Sequence, residues 1–392
     1  MTAQRRVILQ GWRFVPHSYA IINQFHCLEL LQRPELALFH QDAPRHSAWQ
    51  PMRGLLDPEQ EAAIGSIPSP PADAPRVGDV IFRQSFPHDC TPAPAADRVC
   101  VNLTAEQGIV PGDYLEGADS VVQATERAPN LYWVAPSSWS RAALLRSGAP
   151  DERVIYVPHG VMPEVLHPAP LDQRKALRRE KGVNENFVFL NIGAMTTNKG
   201  LTTLLKGLAA VASRHSHVRL LLKGLDRIYP SRQMLLGQAT SLSPAERALV
   251  EPRMLYLGDT LSFRQMATLY HMADAYVTPY RAEGFNMPAL EAAACGLPVI
   301  CTRGGPTDDF TTEDFALRID STLKPMVEMG AAGFDLIPSV DSLIAHMMRV
   351  VEDDGFRDRA WVEGPKFVNA GFTWKLVVDR LLAALFSGSA RG

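Results

Sequence analysis

Apolar residues in this 392-residue chain fall into short runs that alternate with stretches of helical periodicity. In the first part, residues 6–9, 80–83, 100–103, 131–135 and 154–157 read as strands. A helical run opens at Ser18, carries Ile21, Ile22, Phe25, Leu28, Leu30 and Leu31, and is ended by Pro34; another covers 138–147. Residues 44–76, rich in Pro, Ala and Gly, predict a loop-dominated excursion. The second part is more regular. Residues 186–192 and 218–223 are continuous apolar strands, followed by 254–257, 275–279 and 298–302, with helical patterns at 200–213, 243–251, 262–273 and 287–295. An amphipathic helix over 374–386 comes last, its Trp374 expected to pack rather than bind. Continuous apolar strands separated by helices of about ten residues indicate parallel sheets covered on both faces. The fold class is therefore α/β, as two doubly wound domains in tandem, with ligands expected at strand carboxyl ends.

Composition places the boundary. Residues 1–170 hold 20 of the 30 prolines and no lysine. Up to Leu166 there are 13 Arg against 18 Asp+Glu, a balance of −5, while the remainder carries 26 basic against 24 acidic residues. Pro163, Pro168 and Pro170 mark a linker near this shift, which separates 1–166 from 167–371, with 372–392 as a terminal segment. A hydrophobic content of 46% with 21% charged residues excludes disorder, and the net charge of −3 gives no basic field for nucleic acid. Cys27, Cys90, Cys100, Cys295 and Cys301 contain no C-x-x-C pair and read as buried thiols rather than disulfides or a zinc site. No run of about 18 apolar residues occurs and the start is too short for a signal segment, so the expected location is cytoplasmic. The lysine-free first part limits any membrane contact to a weak peripheral one.

The chemistry concentrates after residue 279. A loop carries Glu283-Gly284-Phe285-Asn286, Pro288 marks a helix start, and Gly296 ends that helix. Gly284 allows a ligand to approach the backbone, and free N–H groups at the helix start suit phosphate oxygens. Glu291 lies about one turn into the helix, where a carboxylate accepts from sugar or ribose hydroxyls; the plain alternatives are a solvated helix residue and, for Glu283, a cap. Lys199 follows a strand and the Gly193 loop at the amino end of a helix, so a cation and a helix end converge. In the first part His17 and Ser18, the latter a good N-cap, follow strand 6–9, and His88-Asp89 and Glu106 follow two later strands. Each of these also reads as a cap, turn or solvated loop. No Asp-x-Asp stands at a strand end; the pairs Asp308-Asp309 and Asp353-Asp354 read as solvated turns, and no metal is expected.

The string E-G-F-x-x-P-x-L-E-A-x-A-x-G-x-P-V-I from Glu283 to Ile300 closely resembles the donor-site signature of the large family-4 glycosyltransferases. Phe189 to Gly200 resembles that family's strand, Gly loop and Lys-Gly helix start. Val157-Pro-His-Gly-Val161 resembles its P-N-G-V segment with His159 in the Asn position, and Ser137-Ser-Trp-Ser140 its preceding helix start. Thr104 to Pro111 is similar to a W-E-x-G-x-x-P stretch with Ala105 replacing the Trp, and Arg303-Gly304-Gly305 to a second Gly-Gly loop. The similarity covers about residues 130–310. One departure is Ala194, which stands where the family has a phosphate-clamping Arg; Lys223, Arg281 and Arg303 are candidate substitutes.

The resemblance implies the GT-B fold, two Rossmann-like domains facing a central cleft. It makes 1–166 the acceptor domain, 167–371 the nucleotide-sugar domain, and 372–392 a helix crossing back to the first. It implies a retaining hexosyl transfer from a UDP- or GDP-sugar to a hydroxyl acceptor, without metal or other cofactor; the acceptor is a saccharide or glycan, a metabolite or a protein. Donor-binding residues would be Gly193, Ala194, Lys199, Lys223, Glu283, Gly284, Phe285, Asn286, Met287 and Glu291, with Glu291 on the ribose and Lys199 on the diphosphate. The catalytic set would be Glu283, Lys199, Glu106 and His88, and the acceptor residues His17, Ser18 and Glu106. A same-fold hydrolase or epimerase, and a non-catalytic sugar-nucleotide binder, remain open as alternatives.

Overall fold

The computed structural model describes residues 4–326 and 332–386. Packing divides the chain into one unit of Met1–Gly160 with Trp374–Gly392, and another of Val161–Thr373. Residues 1–3 and 387–392, the ends of the first and last expected segments, lie outside the described residues.

Unit 1 is built on a six-stranded parallel sheet in the order Leu36–Asp42, Arg5–Gly11, Asp79–Gln84, Arg98–Asn102, Leu131–Ala135, Val154–Tyr156. Its central strands bury apolar side chains on both faces, Val7, Leu9 and Ile81 among them. Two elements add to the expected pattern and one expected cap is corrected. The edge strand Leu36–Asp42 does not stand out in the pattern because its carboxyl end is polar and partly exposed. The excursion 44–76 contains the helix Pro58–Gly65, started by Pro58 after Asp57, whose N–H donates to Gln60 Oε1 at 3.2 Å. Helix Ser18–Leu31 is capped not by Ser18, which is its exposed first residue, but by His17, whose Nδ1 accepts from the Tyr19 N–H at 3.3 Å. The last helix, Trp374–Phe386, packs on this first helix: Trp374 stacks on Phe25 at 5.0 Å and Asp379 pairs with Arg33 at 2.5 Å.

Unit 2 repeats the plan, with six parallel strands in the order Met254–Leu257, Val218–Lys223, Phe187–Ile192, Ala275–Thr278, Val299–Thr302, Ala316–Ile319. The expected linker runs directly into a helix, Leu171–Glu180, whose Arg174 and Arg178 pair with Asp274 at 2.6 and 3.0 Å. A hairpin of Ser321–Pro325 and Phe334–Pro338 follows the sheet, then helices Val340–Glu352 and Asp354–Gly371. Asp308 is not solvated as expected: it accepts from the Gly304 N–H at 2.8 Å and pairs with Arg318 at 3.5 Å. All five cysteines are free and buried. Among the described residues no helix is long and apolar enough to cross a membrane.

Candidate active site

Two loops at strand carboxyl ends of unit 2 build the strongest constellation. Strand Phe187–Ile192 runs into Gly193, whose N–H donates to the Lys223 carbonyl at 3.0 Å. The chain then makes a single 3-10 turn, Thr197–Lys199, before helix Leu201–Ala212. Lys199 thus sits in the turn ahead of the helix rather than at its first position. Gly200 between them has φ +68°, and a Cβ there would lie 1.9 Å from the Pro279 carbonyl oxygen, so only glycine lets the turn press against the neighbouring strand end. Asn198 fastens this turn to the second loop: its carbonyl accepts from Arg281 N–H at 2.7 Å and its amide donates to the Ala282 carbonyl at 3.0 Å.

The result is an ion pair between residues 84 apart in sequence, Lys199 Nζ to Glu283 Oε1 at 2.6 Å, both largely buried. Asn286 holds the carboxylate from the other side, its amide donating to Glu283 Oε1 at 3.3 Å and to Thr278 Oγ1 at 3.1 Å. Asn286 adopts φ +74° and caps helix Met287–Ala294, its Oδ1 accepting from Ala289 N–H at 3.2 Å. Gly284 and Phe285 are buried, Phe285 against Phe310, while Met287 is half-buried. One turn into the helix, half-buried Glu291 accepts from the Tyr270 hydroxyl at 2.5 Å. Burial pushes the Glu291 carboxyl above its ordinary range and the phenol's hydrogen bond opposes it. Tyr270, fully buried on helix Phe263–Met272, was not singled out in the sequence; only its place on an apolar helix face gave a signal.

The substitutes for the absent arginine at Ala194 fare differently. Arg281 is engaged with Asp335 at 2.6 Å, and Arg303 is exposed, 3.7 Å from Asp320. Lys223 is buried at the end of its strand and donates to the Gly224 carbonyl; burial lowers its pKa to about 8, with Asp259 and Asp226 pulling it back up. The half-buried Ala194 accepts from Ser231 Oγ at 2.9 Å through its carbonyl. Among the described residues no group of three His, Cys, Asp or Glu side chains stands at metal-holding geometry.

Glu106 and His88 belong to unit 1, apart from the Lys199–Glu283 pair in sequence and in sheet. Half-buried Glu106 is anchored by its carbonyl, which accepts from Trp139 Nε1 at 2.9 Å. His88 is 1% exposed, edge-on to Tyr19 at 5.7 Å and to Phe86 at 5.6 Å, and burial lowers its pKa to about 4. Half-buried His17 lies between the rings of Tyr19 and Trp49, and its pKa is also lowered to about 4 by burial.

Residues 186–353 match the family model for glycosyl transferases group 1. The chain is 29% identical over 299 residues to a D-inositol 3-phosphate glycosyltransferase of Catenulispora acidiphila, covering 74% of this chain and 64% of that protein. It is 25% identical over 241 residues to a GDP-mannose-dependent mannosyltransferase of Corynebacterium glutamicum that acts on a monoacylated phosphatidylinositol monomannoside, covering 59% and 56%. The chain therefore spans less than two thirds of the length of these curated relatives. In fold it is similar to the Anabaena protein HepE solved with UDP and glucose (TM-score 0.68, 14% identity, 98% and 100% covered). Sucrose-phosphate synthase of Thermosynechococcus elongatus gives TM-score 0.66 at 17% identity, with 98% and 100% covered. Residues 186–353 are thus similar to the group 1 glycosyl transferases, and the two-sheet architecture has the GT-B fold of these solved structures.

Proposed function

We propose that the protein is a retaining hexosyltransferase that moves a sugar from a UDP- or GDP-sugar to a hydroxyl acceptor. The observation that carries this reading is the Lys199–Glu283 pair beside the Asn286-capped helix, inside the family-matched segment. UDP in HepE and the GDP-mannose dependence of the Corynebacterium relative bracket the donor class. Unit 2 holds the donor: Glu291 accepts from the ribose, Lys199 and backbone N–H groups at Phe285–Met287 meet the diphosphate and sugar, and Glu283 orients the sugar. Unit 1 holds the acceptor. As the bond from the anomeric carbon to the phosphate oxygen breaks, the acceptor oxygen bonds to that carbon from the same face. The acceptor proton passes to the departing phosphate oxygen, so no separate carboxylate base is needed. The chain's task is positioning and stabilising the developing phosphate charge. We assign no metal to the reaction, a cytoplasmic location, and at most weak peripheral membrane contact.

The test is calorimetry with UDP- and GDP-sugars followed by measurement of nucleotide release with and without acceptors. Donor binding with acceptor-stimulated release is expected. Free sugar formed as fast without acceptor would instead mark a hydrolase. Ala194 in the clamp position favours the second alternative, a binding protein, and tight donor binding with no turnover would support it.

A further inference from the structure

Unit 1 carries a row of rings at the carboxyl ends of its parallel strands, the position where open α/β sheets bind ligands. Trp49, His17, Tyr19, His88 and Phe86 follow one another with centroid separations of 4.9, 5.6, 5.7 and 5.6 Å. Trp12 supports the row from below, edge-on to His17 at 5.2 Å and to Trp49 at 5.4 Å, and its Nε1 is fixed to the Pro44 carbonyl at 2.6 Å. The row is not closed core: Phe86 is 37% exposed, and Trp49, His17 and Tyr19 are half-buried. These rings come from three separate segments, so the row exists only because the fold gathers it.

The polar groups along it are equally specific. Tyr19 hydrogen-bonds with Thr104, and burial together with the charge of Glu106 raises its hydroxyl pKa; the same two causes raise that of Tyr114, which meets Phe86 at 5.1 Å. A carboxylate charge therefore bears on the row at Tyr19 and beside Phe86 at Tyr114. Three neighbouring arginines are engaged away from the row, Arg13 with Asp42 at 2.7 Å, Arg83 with Asp89 at 3.3 Å and Arg53 over the Phe14 ring at 3.6 Å, while Arg45 donates to the backbone carbonyl of Trp49 at 3.0 Å. A phosphate on the ligand at that end of the row would meet the Glu106 carboxylate, at a cost in Coulomb energy.

We infer that the ligand of this row is an uncharged saccharide longer than one ring, its apolar ring faces on Trp49 and Phe86 and its hydroxyls on Glu106 and Thr104. Aromatic faces take the C–H face of a sugar, and a carboxylate accepts from its hydroxyls. This rests on the transferase reading, in which unit 1 holds the acceptor, and narrows it away from phosphorylated polyols of the kind in the inositol-phosphate relative's name.

The test is direct binding to the full chain, without nucleotide, of a panel of neutral mono- to tetrasaccharides and of D-inositol 3-phosphate, followed by tryptophan fluorescence. Saturable binding of a neutral oligosaccharide is expected, weakened at least tenfold by Trp49→Ala and by Phe86→Ala, both confirmed as folded by circular dichroism. Glu106→Gln should weaken the saccharide but not create affinity for the phosphate. Binding of D-inositol 3-phosphate alone, no binding by any neutral saccharide, or equal affinity in the Trp49 and Phe86 variants overturns the inference. Nucleotide affinity is measured separately, so a protein that binds oligosaccharide but no nucleotide sugar counts against the transferase reading and not against this one.

Discussion

Lys199 and Glu283 share one hydrogen-bonded ion pair at 2.6 Å, so the cation assigned to the diphosphate is already balanced by the carboxylate assigned to the sugar. Removing either member leaves the other charge largely buried and partly uncompensated. Lys199→Ala should weaken binding of the nucleoside diphosphate by about 1.5–3 kcal/mol, the worth of a hydrogen bond to a charged group. Glu283→Ala should leave nucleotide affinity within about threefold, roughly 0.6 kcal/mol, and act on turnover instead. Calorimetry with UDP and GDP beside steady-state rates separates the two; a Lys199 variant with unchanged affinity contradicts the assignment.

Glu291 reaches its position through Tyr270, whose hydroxyl fixes one of its oxygens. Glu291→Ala is expected to lose about 1.5–3 kcal/mol of nucleotide affinity, and Tyr270→Phe a smaller amount, about 0.5–1.5 kcal/mol, by releasing the carboxylate. Deoxyribonucleotide analogues provide the check, since they should bind the wild type and the Glu291 variant alike.

Buried histidines of unit 1, His26, His88 and His159 among them, set an acid limit on stability. Burial lowers His26 and His159 to about 3 and His88 to about 4, while the unfolded chain titrates near the ordinary 6.5. Above that value both states are neutral and nothing is gained or lost. Below it only the unfolded chain takes up protons, so stability falls with pH through the window from 6.5 to about 3–4, by about 1.4 kcal/mol per pH unit for each group. Urea unfolding at pH 7 and pH 5 measures the slope, which His88→Phe should reduce.

How much of this was legible in the sequence varies with burial. The strands of unit 2 were legible because Phe187–Ile192, Val218–Lys223 and Val299–Thr302 are buried along nearly their whole length and so read as unbroken apolar runs. Strand Leu36–Asp42, half exposed at the sheet edge, carries His40, Gln41 and Asp42 and shows no such run. Helix Asp354–Gly371 contains Gly364 and Pro365 against its own propensity. Gly364 lies so close to the Ala293 carbonyl that a Cβ would come within 2.7 Å, a packing reason invisible locally. At the site, Lys199, Glu283 and Glu291 came from the motif, but the Tyr270 contact spans 21 residues and the Asn198 stitching 84, and neither leaves a local pattern.

The proposal that charge stabilisation comes from Lys199 and helix-end N–H groups implies no need for a divalent ion. EDTA should leave transfer within twofold of its untreated rate, and added manganese or magnesium should not raise it. Activity abolished by chelator and restored by manganese contradicts this.

The proposal of at most weak membrane contact rests on the charge of the first part of the chain, where 13 Arg face 18 Asp+Glu and lysine is absent. Sedimentation with vesicles of anionic lipid at physiological salt should leave most protein in the supernatant. Strong, salt-sensitive co-pelleting would overturn the expectation and turn attention to a lipid-linked acceptor.

The five buried thiols turn the protein into its own clock. Cys27, Cys90 and Cys100 lie in unit 1 and Cys295 and Cys301 in unit 2, all with burial holding the thiol above its ordinary range, so a thiolate forms only when the surrounding layer opens. Alkylation followed by peptide mass spectrometry therefore times the opening of each unit on its own axis. A nucleotide seated in unit 2 would slow the marks at 295 and 301 and leave those at 27, 90 and 100 running, reporting where a ligand has landed without any engineered label.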